Sequence, residues 1–214
     1  EPILRDRLNG WRADQSISEI LDYIIEHAGL LSSLTKLQAR ELLMESQVRV
    51  LKPGDVILEK LDYSNTIFNI LEGSVDIHVT DKHHKKQVIT SGQGHFFGEM
   101  GLISGRRRTA SIYAGPRCVV METTRRAALK LLSTNDEVHR KMDAAFVRNA
   151  LFNYVGPVFT PEQFDRIMTS GVQVRSFNPH TSIFSEGDPA DGLYLIRRGS
   201  VTVKKKIQGV DRIL

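Results

Sequence analysis

A repeated pattern of short strands constrains the fold of this chain more than any other feature of its sequence. The segment 48–53, Val-Arg-Val-Leu-Lys-Pro, is followed 126 residues later by Val-Arg-Ser-Phe-Asn-Pro at 174–179. The segments 67–75 and 193–201 keep the same offset, and each ends in Gly-Ser-Val after an apolar run. One gap-free offset that preserves a proline and a glycine indicates two copies of one module.

The first copy is predicted to consist of short strands. Alternating apolar residues on both sides of the turn Pro53-Gly54-Asp55 predict a hairpin. Many short strands separated by glycine turns are typical of a sandwich or a barrel. Further strands are predicted at 66–71, 75–79, 87–90 and 117–122, and in the second copy from Val172 onward.

Short helices are predicted to precede each copy. Ser16 with Glu19, and Thr35 with Gln38, have the spacing of capping boxes, in which each side chain bonds the other residue's backbone N–H. Thr160-Pro161 marks a third start, with threonine as the cap and proline at the first helical position. Two more helices are predicted at 124–132 and 138–150.

The second copy is incomplete in this sequence. Adding 126 to the position of Gly98 gives a number beyond Leu214, so the second copy lacks its later strands, and we expect the natural protein to continue. The predicted domains are an N-terminal helical lead at 1–34, a first module at 35–153 and a partial second module at 154–214.

Composition narrows the class of protein. The net charge of +4 is mild and does not by itself indicate a nucleic-acid partner. A single cysteine, Cys118, excludes a disulfide within the chain and a cysteine metal cluster, and it fits a cytoplasmic location. No apolar run approaches the roughly 20 residues of a membrane span.

The segment 97–112 combines the groups that an anion pocket needs. Glu99 and Arg108 lie nine residues apart, around a short apolar turn and glycines. A guanidinium binds phosphate oxygens in two places, and a carboxylate accepts hydrogen bonds from ribose hydroxyls. The alternative is an exposed Glu99–Arg108 ion pair worth under ~1 kcal/mol, but the glycines and the Phe97 anchor favour a pocket.

These residues resemble the cyclic nucleotide-binding domain family. That family includes catabolite-activator-type regulators, the regulatory subunits of cAMP-dependent protein kinase, cGMP-dependent kinases and cyclic-nucleotide-gated channels. The segment Phe97–Ala110 is similar to its phosphate-binding cassette, and 186–201 resembles its early strand signature. The resemblance implies an α+β, mainly β fold: an antiparallel β-roll or jelly-roll barrel flanked by short helices, repeated twice with the second copy incomplete.

The resemblance also implies roles for individual residues. Glu99 would accept the ribose 2′-hydroxyl, and Arg108 would pair with the cyclic phosphate. Thr109 leaves cAMP and cGMP open, with a slight preference for cAMP. The implied ligand-binding residues are Phe97, Gly98, Glu99, Met100, Gly101, Leu102, Arg108, Thr109 and Ala110, and the candidates for covering the base are Phe146, Val147 and Phe152. No catalytic residue, metal or further cofactor is expected.

The implied function is that of a non-enzymatic cAMP or cGMP sensor. Ligand binding would close the helices after Glu122 over the pocket and so control an attached domain, a partner protein or a homodimer. The alternatives are a kinase regulatory subunit, or the sensor part of a larger enzyme, transporter or transcription regulator. Residues 1–34 hold no Arg-Arg-x-Ser/Ala run, which disfavours a kinase inhibitor. A second module follows the first, so direct nucleic-acid binding is not expected.

Overall fold

A computed structural model of the chain describes residues 1–80, 86–154 and 160–214. The chain divides into two compact units, Glu1–Gly156 and Pro157–Leu214. The first unit begins with helices α1 (Pro2–Leu8), α2 (Ile17–His27) and α3 (Lys36–Met44), with a 3-10 turn at Gly29–Leu31. The predicted domain limits after residues 34 and 153 stay predictions.

Helices α2 and α3 begin where the capping boxes predict. The N–H of Glu19 donates to Ser16 Oγ at 3.2 Å, and the N–H of Ser16 donates to the Glu19 carboxylate at 2.8 Å. Thr35 and Gln38 make the same reciprocal pair, at 3.2 and 2.9 Å. These bonds satisfy N–H groups that no helical carbonyl reaches, so both predicted helix starts are confirmed.

Two antiparallel four-stranded sheets follow in the described part of the first unit. One sheet has the order β1-β8-β3-β6, and the other has the order β2-β7-β4-β5. The strand bounds are β1 Ser46–Val50, β2 Val56–Leu58, β3 Ile67–Glu72, β4 Ser74–Thr80, β5 Lys86–Gly92, β6 Phe96–Phe97, β7 Ser111–Ala114 and β8 Val119–Thr123. The predicted α+β class with antiparallel sheets and flanking helices is therefore confirmed.

The predicted hairpin around Pro53-Gly54-Asp55 is wrong, because β1 and β2 enter different sheets. Strand β1 pairs with β8, whereas β2 pairs with β7. The N–H of Gly54 donates to the carbonyl of Ala114 at 2.7 Å, and the N–H of Ala114 donates to the carbonyl of Asp55 at 2.8 Å. The turn is thus held by β7 and carries the chain from one sheet to the other.

The β1-β8-β3-β6 sheet lies between two hydrophobic clusters, because successive strand residues face opposite sides. In β3, Ile67 and Leu71 pack among the helices, whereas Phe68 and Ile70 pack against the second sheet. Strand β8 divides in the same way, with Met121 on the helix side and Val120 between the sheets. The unit therefore has three layers: helices, sheet and sheet.

The N-terminal lead is bonded into the first layer. Leu4 and Leu8 are buried in the same cluster as Leu71. Trp11 Nε1 and Arg12 Nη2 donate to Glu72 Oε1 at 3.2 and 2.7 Å, just before the turn between β3 and β4. The lead therefore contributes to the core of the first unit, and the Arg12 guanidinium is already engaged in a salt bridge within it.

Helices α4 (Glu99–Ser104), α5 (Arg125–Thr134) and α6 (Asp136–Tyr154) complete the first unit. Asn135 separates α5 from α6, and its side-chain oxygen accepts from the N–H groups of Glu137 and Val138 at 3.1 and 3.0 Å. The long helix α6 packs against both α4 and α5. This packing brings the second half of α6 beside the segment that the sequence singles out.

The second unit contains helix α7 (Pro161–Ser170) and a hairpin of β9 (Lys204–Ile207) and β10 (Val210–Ile213). The predicted helix start at Thr160-Pro161 is confirmed, since Thr160 Oγ1 accepts from the N–H of Gln163 at 3.3 Å. The strands predicted from Val172 are wrong for the described residues 172–203, which form no strand pairs. In the first copy β1 and β3 both pair with β8, whose copy would be numbered 245–249, so among the described residues 160–214 their copies lack that partner.

Candidate functional site

The site is built on the turn from β6 into α4. Gly98 adopts φ 96° and ψ −2°, a left-handed conformation that favours glycine, and it serves as the N-cap of α4. The helix ends at Gly105, again left-handed at φ 67°. This short helix places Glu99 in its first turn and returns the chain toward Arg108.

The side chains on either side of this turn anchor it in both hydrophobic clusters. Phe97 stacks on Phe68 between the sheets, with ring centroids 5.1 Å apart. Leu102 lies on the opposite side, fully buried among the helices. Both residues were predicted to bind ligand, and the structure places their side chains in the core. Of the other predicted residues, Met100 and Ala110 are half-buried and Thr109 is exposed.

Glu99 is a buried acid, with 2% of its surface exposed. Its Oε1 accepts a hydrogen bond of 2.6 Å from Nδ2 of Asn149 on α6. Burial raises the pKa of Glu99, and this effect is offset in part by the Asn149 bond, by backbone N–H groups and by the charge of Arg108. The alternative of an exposed ion pair is therefore wrong, because both Glu99 and Arg108 are inaccessible.

Arg108, with 3% of its surface exposed, is bonded to three residues in two separate segments of the chain. Its Nε donates to Ser64 Oγ at 2.8 Å, its Nη1 to the Gly98 carbonyl at 2.9 Å, and its Nη2 to the Thr66 carbonyl at 2.7 Å. Burial lowers the pKa of Arg108, and nearby carboxylates led by Glu99 oppose that effect. The guanidinium thus joins the 64–66 segment to the turn before α4.

The loop before β3 is also joined to the cassette by its backbone. The N–H of Leu61 donates to the Arg108 carbonyl, and the N–H of Arg108 donates to the Asp62 carbonyl, each at 2.9 Å. Leu61 adopts φ 75°, which is uncommon for a residue with a side chain, whereas Gly187 stands at the matching position of the second copy with φ 97°. Exposed Arg107 donates to the Leu61 carbonyl at 3.1 Å and lies over the Tyr63 ring.

The glycines of the cassette make room for the arginine. A Cβ at Gly98 would lie 2.8 Å from the Thr66 carbonyl oxygen and 2.9 Å from Arg108 Nη1. A Cβ at Gly101 would lie 3.2 Å from the same nitrogen. The sequence suggested that these glycines admit a ligand; in the structure the group that approaches them is the Arg108 guanidinium.

Sequence reasoning missed three residues of this site: Ser64, Thr66 and Asn149. The repeat contained a signal for the first two. The copy that lacks a cassette has Ala190 and Gly192 at the positions that match Ser64 and Thr66, so the two hydroxyl groups occur only in the copy that has the cassette. Asn149 gave no such signal, because it is 50 residues from Glu99 in sequence and meets it only through the packing of α6 on α4.

The three candidates for covering a base lie at different depths along α6. Phe146 is buried in the helix-side cluster, with 4% of its surface exposed, and Val147 packs against that cluster. Phe152 is half-buried. Phe146 is therefore committed to the core in this arrangement of α6, whereas Val147 and Phe152 are both half-buried.

A family comparison matches the first copy of the module. Residues 48–135 match the model of the family described as cyclic nucleotide-binding domain. A cGMP-dependent protein kinase of Plasmodium berghei is 31% identical over 162 residues, which is 73% of this chain and 17% of that protein. The cAMP-dependent protein kinase type II regulatory subunit of Drosophila melanogaster is 26% identical over 181 residues, 84% of this chain and 46% of that protein. The chain thus spans less than half the length of these relatives.

Solved structures share the fold. A cyclic nucleotide-binding domain from Methylobacillus flagellatus superposes with a TM-score of 0.54 at 18% identity, over 67% of this chain and 86% of that one.

Within the described ranges, none of the helices combines the length and the apolar character that a membrane span requires.

Proposed function

Residues 48–135 belong to the cyclic nucleotide-binding domain family, and on that premise we propose that this chain is a sensor that binds cAMP or cGMP between Glu99 and Arg108. The observation that carries the proposal is a buried carboxylate in the first turn of α4 and a buried guanidinium at Arg108, shortly after the glycine that ends this helix. Charged groups are rarely buried unless they have partners, and a ribose phosphate supplies a partner for each.

Arg108 is proposed to bind the cyclic phosphate. A guanidinium has five N–H donors, and the protein bonds described above engage Nε, one N–H of Nη1 and one of Nη2. A phosphate would take the remaining donors and would compete with the Ser64 hydroxyl for Nε. Because a phosphate oxygen carries negative charge and the Ser64 hydroxyl is neutral, and because the phosphate can accept two N–H groups of the guanidinium at once, this exchange favours the phosphate.

Glu99 is proposed to accept a ribose hydroxyl. Its carboxylate lies in the first turn of α4, so the same helix offers backbone N–H groups near the sugar and the phosphate. To reach Glu99, a ligand has to pass α6, whose residue Asn149 is bonded to it. Binding would therefore favour a different position of the second half of α6, and this shift in population would be the signal that leaves the module.

Isothermal titration of the 214-residue chain with cAMP and with cGMP tests the proposal. Arg108→Ala is expected to weaken binding at least tenfold, since the charge-assisted bonds it removes are worth about 1.5–3 kcal/mol each. Arg108→Lys keeps the charge without the fork and should lie between that variant and wild type. Arg106→Ala removes one exposed charge beside the site and is the matched control.

A native circular dichroism spectrum of Arg108→Ala is required, because this variant also loses the internal hydrogen bonds of the Arg108 side chain. A folded Arg108→Ala protein that binds both nucleotides as tightly as wild type would refute the assignment. Comparison of the cAMP and cGMP affinities of Thr109→Ala then tests whether this exposed residue distinguishes the two bases.

A second candidate function is control of a protein kinase. It is favoured by the two relatives described above, whose names are those of a cyclic-nucleotide-dependent kinase and of a kinase regulatory subunit. Arg5 and Arg12 donate to Gln15 and Glu72 within the first unit, so they are not displayed as a substrate-like segment. Adding the chain to a kinase catalytic domain, with and without cyclic nucleotide, tests this candidate; unchanged phosphorylation in both cases would reject it.

We further infer that the chain acts by binding and not by catalysis. Recovery of intact cAMP and cGMP by chromatography after prolonged incubation is the expected result, and appearance of the corresponding monophosphates would contradict it. The cytoplasmic location, the homodimer and the downstream effector domain stay predictions.

A further inference from the structure

The contact between Asn149 and Glu99 closes the site from the side of α6. The Asn149 amide donates to Glu99 Oε1 at 2.6 Å. Glu99 is buried, with 2% of its surface exposed, whereas the Asn149 side chain is exposed. The bond therefore joins the buried carboxylate to an exposed residue of α6, and it occupies an oxygen that could accept from a ligand hydroxyl.

The two halves of α6 differ in how they are attached. Both halves bury apolar side chains, Val138 and Met142 in the first and Phe146 and Leu151 in the second. Only the first half is also held by Lys141 Nζ, which donates to the Gly29 carbonyl and to Ser32 Oγ at 2.8 Å each. The second half packs toward α4, and Asn149 bonds its acid directly. A change at Glu99 thus acts on the second half of α6, while the first half keeps its own anchors.

We propose that Asn149 is a latch that competes with the ribose hydroxyl of the ligand for Glu99. The inference rests on the proposed function and adds how access to that site is regulated. An amide N–H and a hydroxyl O–H can both donate to a carboxylate oxygen, and the Asn149 amide already occupies Glu99 Oε1. Ligand binding then replaces the Asn149 bond, and the second half of α6 loses that hydrogen bond to the cassette when the ribose arrives.

The latch has a measurable effect on affinity. A ligand that binds only the unlatched form has its apparent affinity reduced by the fraction of protein in that form. A net hydrogen bond of ordinary strength corresponds to about a three- to tenfold reduction. Removing the Asn149 amide should therefore tighten cAMP binding about three- to tenfold. If Asn149 instead contacted the ligand, its removal would weaken binding.

Titration of Asn149→Ala and Asn149→Leu with cAMP and with 2′-deoxy-cAMP tests the latch. Leucine keeps the size of asparagine without its amide, so both variants should show the same gain for cAMP. The analogue has no hydroxyl to compete for Glu99, and we expect no gain with it. The control is Arg140→Ala, an exposed change on the same helix, which should leave both affinities unchanged. An equal gain for the two ligands, or weaker binding of cAMP, would overturn the latch.

Hydrogen exchange without nucleotide separates failure of the latch from failure of the proposed function. Both Asn149 variants should exchange the amides of residues 146–152 faster than wild type, while those of residues 137–142 stay protected. Unchanged exchange would overturn the latch whatever the ligand does. Faster exchange in the variants, together with no nucleotide binding by any of the proteins, would refute the proposed function. It would also refute the competition between Asn149 and a ribose hydroxyl, but it would leave the Asn149–Glu99 contact supported.

Discussion

Replacing Gly98 with alanine tests whether the buried arginine depends on a neighbour without a side chain. The new Cβ would lie 2.8 Å from the Thr66 carbonyl oxygen and 2.9 Å from Arg108 Nη1. Real Cβ atoms essentially never approach so closely, so one group has to move. The carbonyl is backbone and already accepts from Arg108 Nη2, so the arginine cannot give way without loosening its bond to Thr66.

Gly98→Ala is expected to lower the free energy of unfolding for two reasons, and Gly105→Ala is a control in which only the first reason applies. A left-handed conformation costs an L residue about 1–2 kcal/mol. Overpacking adds about 1–3 kcal/mol. Gly105 is also left-handed, at φ 67°, but a Cβ there meets no atom within 4 Å. Gly105→Ala should therefore lose about 1–2 kcal/mol, and Gly98→Ala about 2–5 kcal/mol.

Urea unfolding of wild type and both variants measures this difference. Trp11 is the only tryptophan and is buried in the first unit, so its fluorescence reports the unfolding of that unit. Nucleotide titration under native conditions should show a loss of affinity for Gly98→Ala that Gly105→Ala does not share. Equal stabilities of the two variants, with equal affinities, would refute the view that Gly98 positions Arg108.

Three further predictions concern other buried or bonded groups. Because burial raises the pKa of Glu99 above its usual 4.5, the stability from its protonation is present below that pH and lost as the pH rises through the raised pKa. Glu99→Gln should therefore melt above wild type at pH 7 in calorimetry, with the two converging toward pH 4.5, and a constant gap would contradict this. Burial raises the pKa of Cys118 to about 11, so about one thiol in a thousand is ionised at pH 8. A disulfide reagent should label native protein slowly and urea-unfolded protein fast; rapid native labelling would count against burial. Glu72→Ala removes the acceptor of Trp11 and should red-shift its emission and increase acrylamide quenching, unlike the exposed control Glu41→Ala.

Local signals predicted the helices better than the sheet connections. The capping boxes at Ser16 and Thr35 involve residues three apart, and the interactions that define them are complete within one turn of helix. The turn after β1 has equally clear residues, yet its partner is β7, more than 50 residues later. A turn signal states where the chain bends, and only the sheet pairing decides which strands become neighbours.

The second copy shows the same limit more strongly. The sequence of 193–198 is as apolar and as regularly spaced as that of β3, but β3 lies between β8 and β6, and strand propensity without partners leaves backbone groups to water. The hairpin of β9 and β10 forms because both of its strands are present. Strand prediction from a repeat therefore holds only where the pairing partners are repeated too.

For the site, the sequence predicted the two charged residues but not the groups that bond them. Glu99 and Arg108 stand out because glycines surround them. Ser64, Thr66 and Asn149 are ordinary polar residues, and they become part of the site through contacts across 42 to 50 residues of sequence. Side chains that act only through long-range packing have no local pattern by which to recognise them.

The bonds of Arg108 have a consequence for how sequences of this kind change over generations. Because the guanidinium joins Ser64, Thr66 and Gly98, a chain that had ceased to respond to nucleotides would still lose stability without it. Mutational drift after loss of signalling should therefore spare Arg108 and act first on exposed Thr109 and Asn149. An intact arginine then indicates a stable module, and the residues at the exposed positions around it indicate whether the module still responds to nucleotides.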